Sequence, residues 1–219
     1  MNTTRALPAA ILGLLLPLAL SAQQPAAGVI AWYNGEWLSG IAGLANWYMA
    51  SGSFARVYDE FEVPAGGWTI TGVFSDNALY EFPEVIRASW EIRSGMKPGH
   101  GGKLVAGGDS RATQMPDPSV TTPRYPASEV AMHFRIQVDG LEIQLPAGRY
   151  WLSVAPVGRG KSFLCPTLGA NAVGTDQDRP GIALFNRSGG KAFVRTESIR
   201  SGGRPGKAQH FAQGVLIVK

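Results

Sequence analysis

Apolar side chains occupy alternate positions of the segment Val85-Ile86-Arg87-Ala88-Ser89-Trp90-Glu91-Ile92-Arg93. The apolar set consists of Ile86, Ala88, Trp90 and Ile92. Successive side chains of a β-strand point to opposite faces, so a period of two indicates a strand with one buried face. We therefore predict a strand here. Glu91 falls on the polar face, where it is either exposed to solvent or lines a polar groove.

The same alternation recurs along the chain. Val130–Val138 shows it most clearly, and Asp139-Gly140 then gives the signal of a hairpin turn. We predict a return strand at Leu141–Leu145 and a third strand at Tyr150–Ala155, which together would form a meander. A second hairpin is predicted from Val57–Val63 to Trp68–Phe74, through Pro64-Ala65-Gly66-Gly67.

Weaker patterns bring the predicted total to about nine or ten strands, the others being Lys103–Ala106, Ile182–Phe185, Ala192–Thr196 and Phe211–Val218. Asp109–Ser128, rich in proline, is predicted as a long loop between sheets. The 28 Gly and 15 Pro among 219 residues argue against a helical bundle. We predict an all-β, two-layer antiparallel β-sandwich of jelly-roll type, with a closed barrel as the alternative.

The N-terminus is typical of a secretory signal peptide. A basic residue, Arg5, precedes the uncharged run Ala6–Leu20 and a small-residue cleavage signal that ends at Ala22. A membrane anchor needs about 20 apolar residues, and prolines interrupt this shorter run. We predict residues 1–22 as signal peptide, 23–54 as an aromatic-rich segment on or beside the domain, and 55–219 as one domain. The mature chain is expected to be secreted, with no transmembrane span.

Charge is unevenly distributed. The formal net charge is +4. From position 187 onward the sequence contains several basic residues and only one acidic residue, Glu197. A nucleic-acid site would interleave such charge with aromatic rings, and here Phe193 and Phe211 are the rings nearby. We expect no nucleic-acid partner. Solvated strand faces are the favoured explanation, and an anionic polysaccharide or surface is the alternative.

Several segments resemble a group of exported bacterial proteins of unknown function. They are Val57–Asn77, Trp90–Gly95, Gly99–Gly102, Pro146–Leu152 and Gly169–Gly174. Members of that group often carry a C-terminal PEP-CTERM sorting tail, which this sequence lacks. The resemblance implies a β-sandwich module of the kind found beside surface-anchoring signals, and it implies no activity.

Five aromatic residues are concentrated near the mature N-terminus: Trp32, Tyr33, Trp37, Trp47 and Tyr48. Exposed rings can form a platform for the apolar faces of sugars. Burial of the rings as a lid on the core is the favoured alternative, because large aromatic side chains contribute most of their energy through burial.

Oxygen donors suggest a weak site for structural Ca²⁺. They are Asp59, Asp76, Asn77, Asp176 and Asp178, and the last two have a spacing that can direct two carboxylates at one ion. Turn formation by Asp and Asn is the alternative. No other cofactor is expected.

Catalytic signals are weak. The histidines His100, His133 and His210 stand near no nucleophile elbow, and Cys165 is expected to be a buried small residue. Glycoside hydrolysis needs two carboxylates across a cleft. Glu91, with Glu60 and Glu142, is the nearest set, and surface charge is the favoured explanation for it.

The sequence therefore predicts an exported, non-enzymatic β-sandwich with a binding or structural role, with polysaccharide as the first partner class. A jelly-roll carbohydrate-active hydrolase is the alternative, and a purely structural role is the third hypothesis. Two carboxylates between rings on a concave face would favour the hydrolase.

Overall fold

Antiparallel β-strands make up nearly all the regular structure of the protein. A computed structural model describes residues 28–37, 43–81, 84–117, 132–175, 182–189, 192–199 and 210–218. Within these ranges the single helical element is a 3-10 turn, Thr196–Ser198, and no helix is long and apolar enough to cross a membrane. The predicted signal peptide lies outside the described residues.

The described residues form sixteen strands. In chain order they are β1 (Val29–Tyr33), β2 (Leu44–Ala45), β3 (Trp47–Tyr48), β4 (Phe54–Val63), β5 (Trp68–Tyr80), β6 (Arg87–Ser94), β7 (Lys103–Arg111), β8 (Thr113–Pro116), β9 (Met132–Leu145), β10 (Gly148–Pro156), β11 (Lys161–Leu164), β12 (Pro166–Thr167), β13 (Leu184–Arg187), β14 (Val194–Arg195), β15 (His210–Phe211) and β16 (Gln213–Ile217). The prediction of nine or ten was too low, because strands of two residues carry no detectable period.

The strands build two seven-stranded sheets that pack face to face. In sheet I, β1, β16, β5, β11 and β2 follow one another, and β9 and then β8 extend the other side of β5. In sheet II the order is β14-β13-β4-β10-β6-β7, with β3 also paired to β4. A small pair, β12-β15, stands apart. The predicted all-β sandwich is confirmed.

The main core lies between the sheets. Sheet II contributes Phe61, Ile92 and Leu152, and sheet I contributes Val73 and Ile136, all of them buried in one hydrophobic cluster. Alternation within each strand directs these side chains inward. Burial of the apolar side chains in this shared cluster stabilises the packing of the two sheets.

The chain passes between the sheets at two neighbouring corners. Residues 64–67 join β4 of sheet II to β5 of sheet I, and Pro146–Ala147 join β9 of sheet I to β10 of sheet II. Because β4 pairs with β10 and β5 pairs with β9, the four strands form one two-stranded ribbon bent across the sandwich. The predicted hairpin from β4 to β5 is wrong: the two glycines of the turn make a corner.

The predicted meander is wrong for a related reason. Asp139-Gly140 makes no hairpin, and β9 continues through it for 14 residues. Gly140 has a φ of +73°, and the register with β5 shifts at this point. Asp-Gly therefore begins a bulge, in which three residues of β9, 140–142, lie opposite the single residue Thr71 of β5. β10 then pairs with β4 and β6, and not with β9.

Two further boundaries differ from the prediction. Ile86 is 61% exposed, because β6 begins one residue later, whereas Ala88, Trp90 and Ile92 are buried as predicted. The predicted loop at Asp109–Ser128 is wrong at its start, since β7 extends to Arg111 and β8 follows. Residues 118–128 of that loop lie outside the described residues.

The outer faces of both sheets carry smaller hydrophobic clusters. Tyr58 of β4 is buried with Met96 and Trp151 outside sheet II. Tyr33 and Phe74 are buried together outside sheet I. The N-terminal segment is built into the sheets, since β1 pairs with β16, β2 with β11 and β3 with β4.

Candidate functional site

A groove of about 270 Å³ crosses the outer face of sheet II. Its lining comes from β3, β4, β6 and β7 and consists of Tyr48, Arg56, Ser89, Trp90, Glu91, Leu104, Gly107, Gly108 and Asp109. Strand alternation directs Ser89 and Glu91 outward, while their neighbours Trp90 and Ile92 fill the core. The groove and the main core therefore lie on opposite faces of the same strands of sheet II.

Glu91 is the acidic centre of the groove. It accepts hydrogen bonds from Tyr58 Oη at 2.9 Å and from Arg93 Nε at 2.5 Å, and Arg56 Nη2 lies 3.8 Å away. Burial, followed by the Glu91 charge, raises the pKa of Tyr58, so its hydroxyl stays a donor. Of the two positions predicted for Glu91, the polar groove is confirmed.

Arg56 forms the buried basic wall of the groove. Its side chain is 3% exposed, and it donates to the Ser89 carbonyl at 3.2 Å and to Ser89 Oγ. The guanidinium also lies 5.3 Å from the centre of the Tyr48 ring, within cation–π range. Arg56 and Arg93 thus share the single carboxylate of Glu91, which leaves this part of the groove with positive charge.

Glycine keeps the groove open on its β7 side. A Cβ atom at Gly107 would lie 3.0 Å from the Trp90 carbonyl oxygen and 3.4 Å from Glu91 Cγ. Any side chain there would occupy the space beside the carboxylate. Leu104, 49% exposed, provides an apolar rim on the same strand.

The second acid of the groove, Asp109, is held by an arginine. Arg87 donates to it through Nε at 3.1 Å and Nη2 at 2.7 Å, in the forked arrangement typical of arginine and carboxylate. Glu60, proposed beside Glu91 from the sequence, pairs with Arg149 at 2.9 Å and does not line the groove. Glu142 lies on β9 of sheet I, away from it.

The five aromatic residues near the N-terminus do not form one exposed platform. Trp32 and Tyr33 are buried, on opposite faces of sheet I. Trp37 packs against His133, with ring centroids 4.1 Å apart and planes tilted by 34°. Trp47 and Tyr48 are half-buried beside β4, and of the five rings Tyr48 lines the groove.

The predicted calcium donors are dispersed. Asp76 and Asn77 are consecutive on β5, so they point to opposite faces of sheet I. Asp76 binds Arg135 at 2.7 and 2.9 Å and accepts from Tyr33 Oη. Asp59 lies in sheet II, and Asp176 and Asp178 lie outside the described residues. Within the described ranges no three His, Cys, Asp or Glu side chains are grouped to hold a metal.

Cys165 and His133 meet outside sheet I, a contact that the sequence did not predict. The sulfur lies 3.5 Å from His133 Nδ1. Burial raises the pKa of the Cys165 thiol well above its usual value and lowers the pKa of His133. The pair is therefore neutral near pH 7, whereas a cysteine nucleophile requires the thiolate. Cys165 is buried, as expected.

Comparison of the chain with protein-family models, with curated proteins and with solved structures finds no match. The resemblance to exported bacterial proteins therefore stays a prediction.

Proposed function

We propose that this protein is an exported, non-enzymatic β-sandwich that binds polysaccharide through the groove on sheet II. One observation carries the proposal: both acids of the groove are bound by arginine, while Tyr48 offers a half-buried ring beside them. Polar side chains can form hydrogen bonds with sugar hydroxyl groups, and an aromatic ring can pack against the apolar face of a sugar. The groove supplies both.

Binding is favoured over hydrolysis by the state of the carboxylates. A glycosidase needs one protonated acid and a second carboxylate directed at the substrate. Glu91 accepts from Tyr58 and Arg93, and Asp109 from both nitrogens of the Arg87 fork. Their oxygens are thus directed at protein donors, as in a rigid recognition surface.

A pull-down of residues 23–219 against soluble and insoluble polysaccharides, with and without Ca²⁺, tests this function. We expect retention without released sugar. Tyr48→Ala should weaken retention about three- to tenfold, since a ring contact contributes on the order of 1 kcal/mol. Trp47→Ala is the matched control, because this neighbouring ring on β3 does not line the groove. Equal loss in both variants, at unchanged circular dichroism, would argue against the groove.

A carbohydrate-active hydrolase is the second candidate, because two carboxylates, Glu91 and Asp109, line one groove beside a ring. Its test is the release of reducing sugar in the same tubes. Release that is abolished by Glu91→Gln would establish the hydrolase and overturn the binding proposal.

A further inference from the structure

A second cleft of about 470 Å³ opens at the end of the β6–β7 pair. Arg87 and Arg111 line it together with Ile86 and Glu84. Arg87 also binds Asp109 of the groove, so this ion pair joins the cleft to the groove. A polymer lying along β6 and β7 would therefore contact both.

Two arginines face each other in this cleft. Arg87 and Arg111 are direct partners in the β6–β7 register. The Ala112 N–H donates to the Ile86 carbonyl at 2.9 Å, which makes the next pair, Arg87 and Arg111, a non-hydrogen-bonded one. Side chains approach most closely in such pairs, and like charges directly opposite each other are destabilising. Asp109 offsets the charge of Arg87, and an anion bound beside it would offset the charge of Arg111.

Arg111 is available for such an anion. Asp109 satisfies Arg87, but among the hydrogen bonds and ion pairs of the described residues none involves Arg111. Beside it, Ile86 is 61% exposed. The cleft thus presents an unpaired guanidinium next to an apolar side chain, which suits an acidic sugar with its carboxylate on the arginine and its C–H face on the isoleucine.

The charges of the joined groove and cleft agree with an acidic ligand. The lining contains Arg56, Arg87 and Arg111 and the acids Glu84, Glu91 and Asp109. Arg93 lies outside the lining and binds Glu91, so that arginines exceed acids by one when it is counted. Glu84 would repel a densely charged anionic polymer. A polymer with one carboxylate per sugar fits the small excess of arginine better.

We propose that the ligand is a uronic-acid polysaccharide, and that Arg111 binds its carboxylate. This inference rests on the proposed function and specifies its ligand class. Arg111 defines acid specificity at the cleft, while Tyr48 contributes a contact that is independent of ligand charge.

The test compares polygalacturonate with its methyl ester, which has the same backbone without the charge. Residues 23–219 should retain the acid form more strongly at low salt, and added NaCl should weaken retention. Arg111→Gln should lower affinity for the acid form about three- to tenfold and leave the ester unaffected. Arg187→Gln, an exposed arginine on β13 of the same sheet, is the matched control and should change neither.

Each other outcome overturns the inference. Equal losses in Arg111→Gln and Arg187→Gln would mean unspecific attraction to a basic chain. Equal retention of the two polymers by the unmodified protein would leave polysaccharide binding in place and remove acid specificity. Retention of neither polymer, nor of any other in the panel, would overturn the proposed function as well.

Discussion

Asp59 is a fully buried carboxylate on the inner face of β4. It accepts hydrogen bonds from Asn34 Nδ2 at 2.7 Å and from the Phe211 N–H at 2.6 Å. His210 Nδ1 lies 3.7 Å from it. The polar contact with Asp59 raises the pKa of His210, against the lowering effect of burial. The protonated imidazole therefore stabilises the folded state.

The direction of this shift predicts how stability depends on pH. The stabilisation is complete below the unfolded-state pKa of about 6.5 and is lost as pH rises through the higher pKa of the folded state. His210→Gln should therefore lower the free energy of unfolding more at pH 5.5 than at pH 8.5. Urea titrations of both proteins at the two pH values measure the difference.

His133 provides the contrast at the same scale. Burial lowers its pKa, so the neutral ring is favoured, and its contribution is lost as pH falls below the unfolded-state value. Because His133 is present in both proteins of the comparison, its effect cancels. A loss in His210→Gln that grows with rising pH would contradict the assigned role of Asp59.

At the scale of elements, the corner between β4 and β5 depends on Gly67. Its φ is +74°, and a Cβ atom there would lie 2.6 Å from the Leu145 carbonyl oxygen. Gly66 also has a positive φ, +101°, but nothing lies within 4 Å of its Cβ position. The two glycines therefore share the backbone strain that alanine would suffer, and Gly67 alone adds a steric clash.

Gly67→Ala should consequently destabilise the protein more than Gly66→Ala. Left-handed backbone costs a non-glycine residue about 1–2 kcal/mol, and the clash with backbone adds to this at Gly67. Thermal and urea denaturation of both variants give the comparison. Equal free energies of unfolding in the two would show that the corner tolerates a side chain.

The elements show what alternation in a sequence can predict. It identified β6 and the buried face of Ala88 and Ile92, since burial on one face imposes a period of two. Alternation could not identify which strands pair with each other. A glycine-rich turn occurs both in hairpins, where the two strands pair, and at corners, where they enter different sheets. Alternation also missed the burial of Tyr58, since residues distant in sequence, Met96 and Phe193, cover that face.

The candidate site was predicted in the same incomplete way. The outward direction of Glu91 followed from β6 alone, but its arginine partners differ. Arg93 is two residues away on the same strand face, whereas Arg56 comes from another strand. From the sequence, Trp32, Trp37 and Tyr48 were equally plausible ligand contacts. An aromatic residue type does not indicate whether other strands will bury the ring. Long-range packing decided which ring lines the groove.

For the whole molecule, the two outer faces differ in how their polar groups are arranged. Outside sheet I, Arg135 lies 4.0 Å from the Phe74 ring centre and binds Asp76, while Cys165 and His133 pack nearby. Polar groups there are directed at one another and are mostly buried. Outside sheet II, charged groups of the same kinds line open clefts. In the described part of the chain, the surface proposed to bind polysaccharide therefore lies on the outer face of sheet II.

The bent ribbon also determines how slowly the chain can reach this structure. Val63 pairs with Gly148, and Trp68 with Leu145, so a long loop must close before the corners can form, at an entropic cost. Such non-local pairing places refolding in the range of milliseconds to seconds or slower. Stopped-flow dilution from urea, followed by tryptophan fluorescence, should show this, and complete refolding in microseconds would contradict it.

During synthesis, some strands emerge well before the strands with which they pair. Among the described strands the first, β1, pairs with the last, β16, and β4 pairs with the later strands β10 and β13 as well as with β3. A nascent chain that has completed only its first half therefore has strands without ladder partners. Unpaired strands can associate with other chains, so the interval before the C-terminal strands arrive is the period in which this protein most needs protection by chaperones.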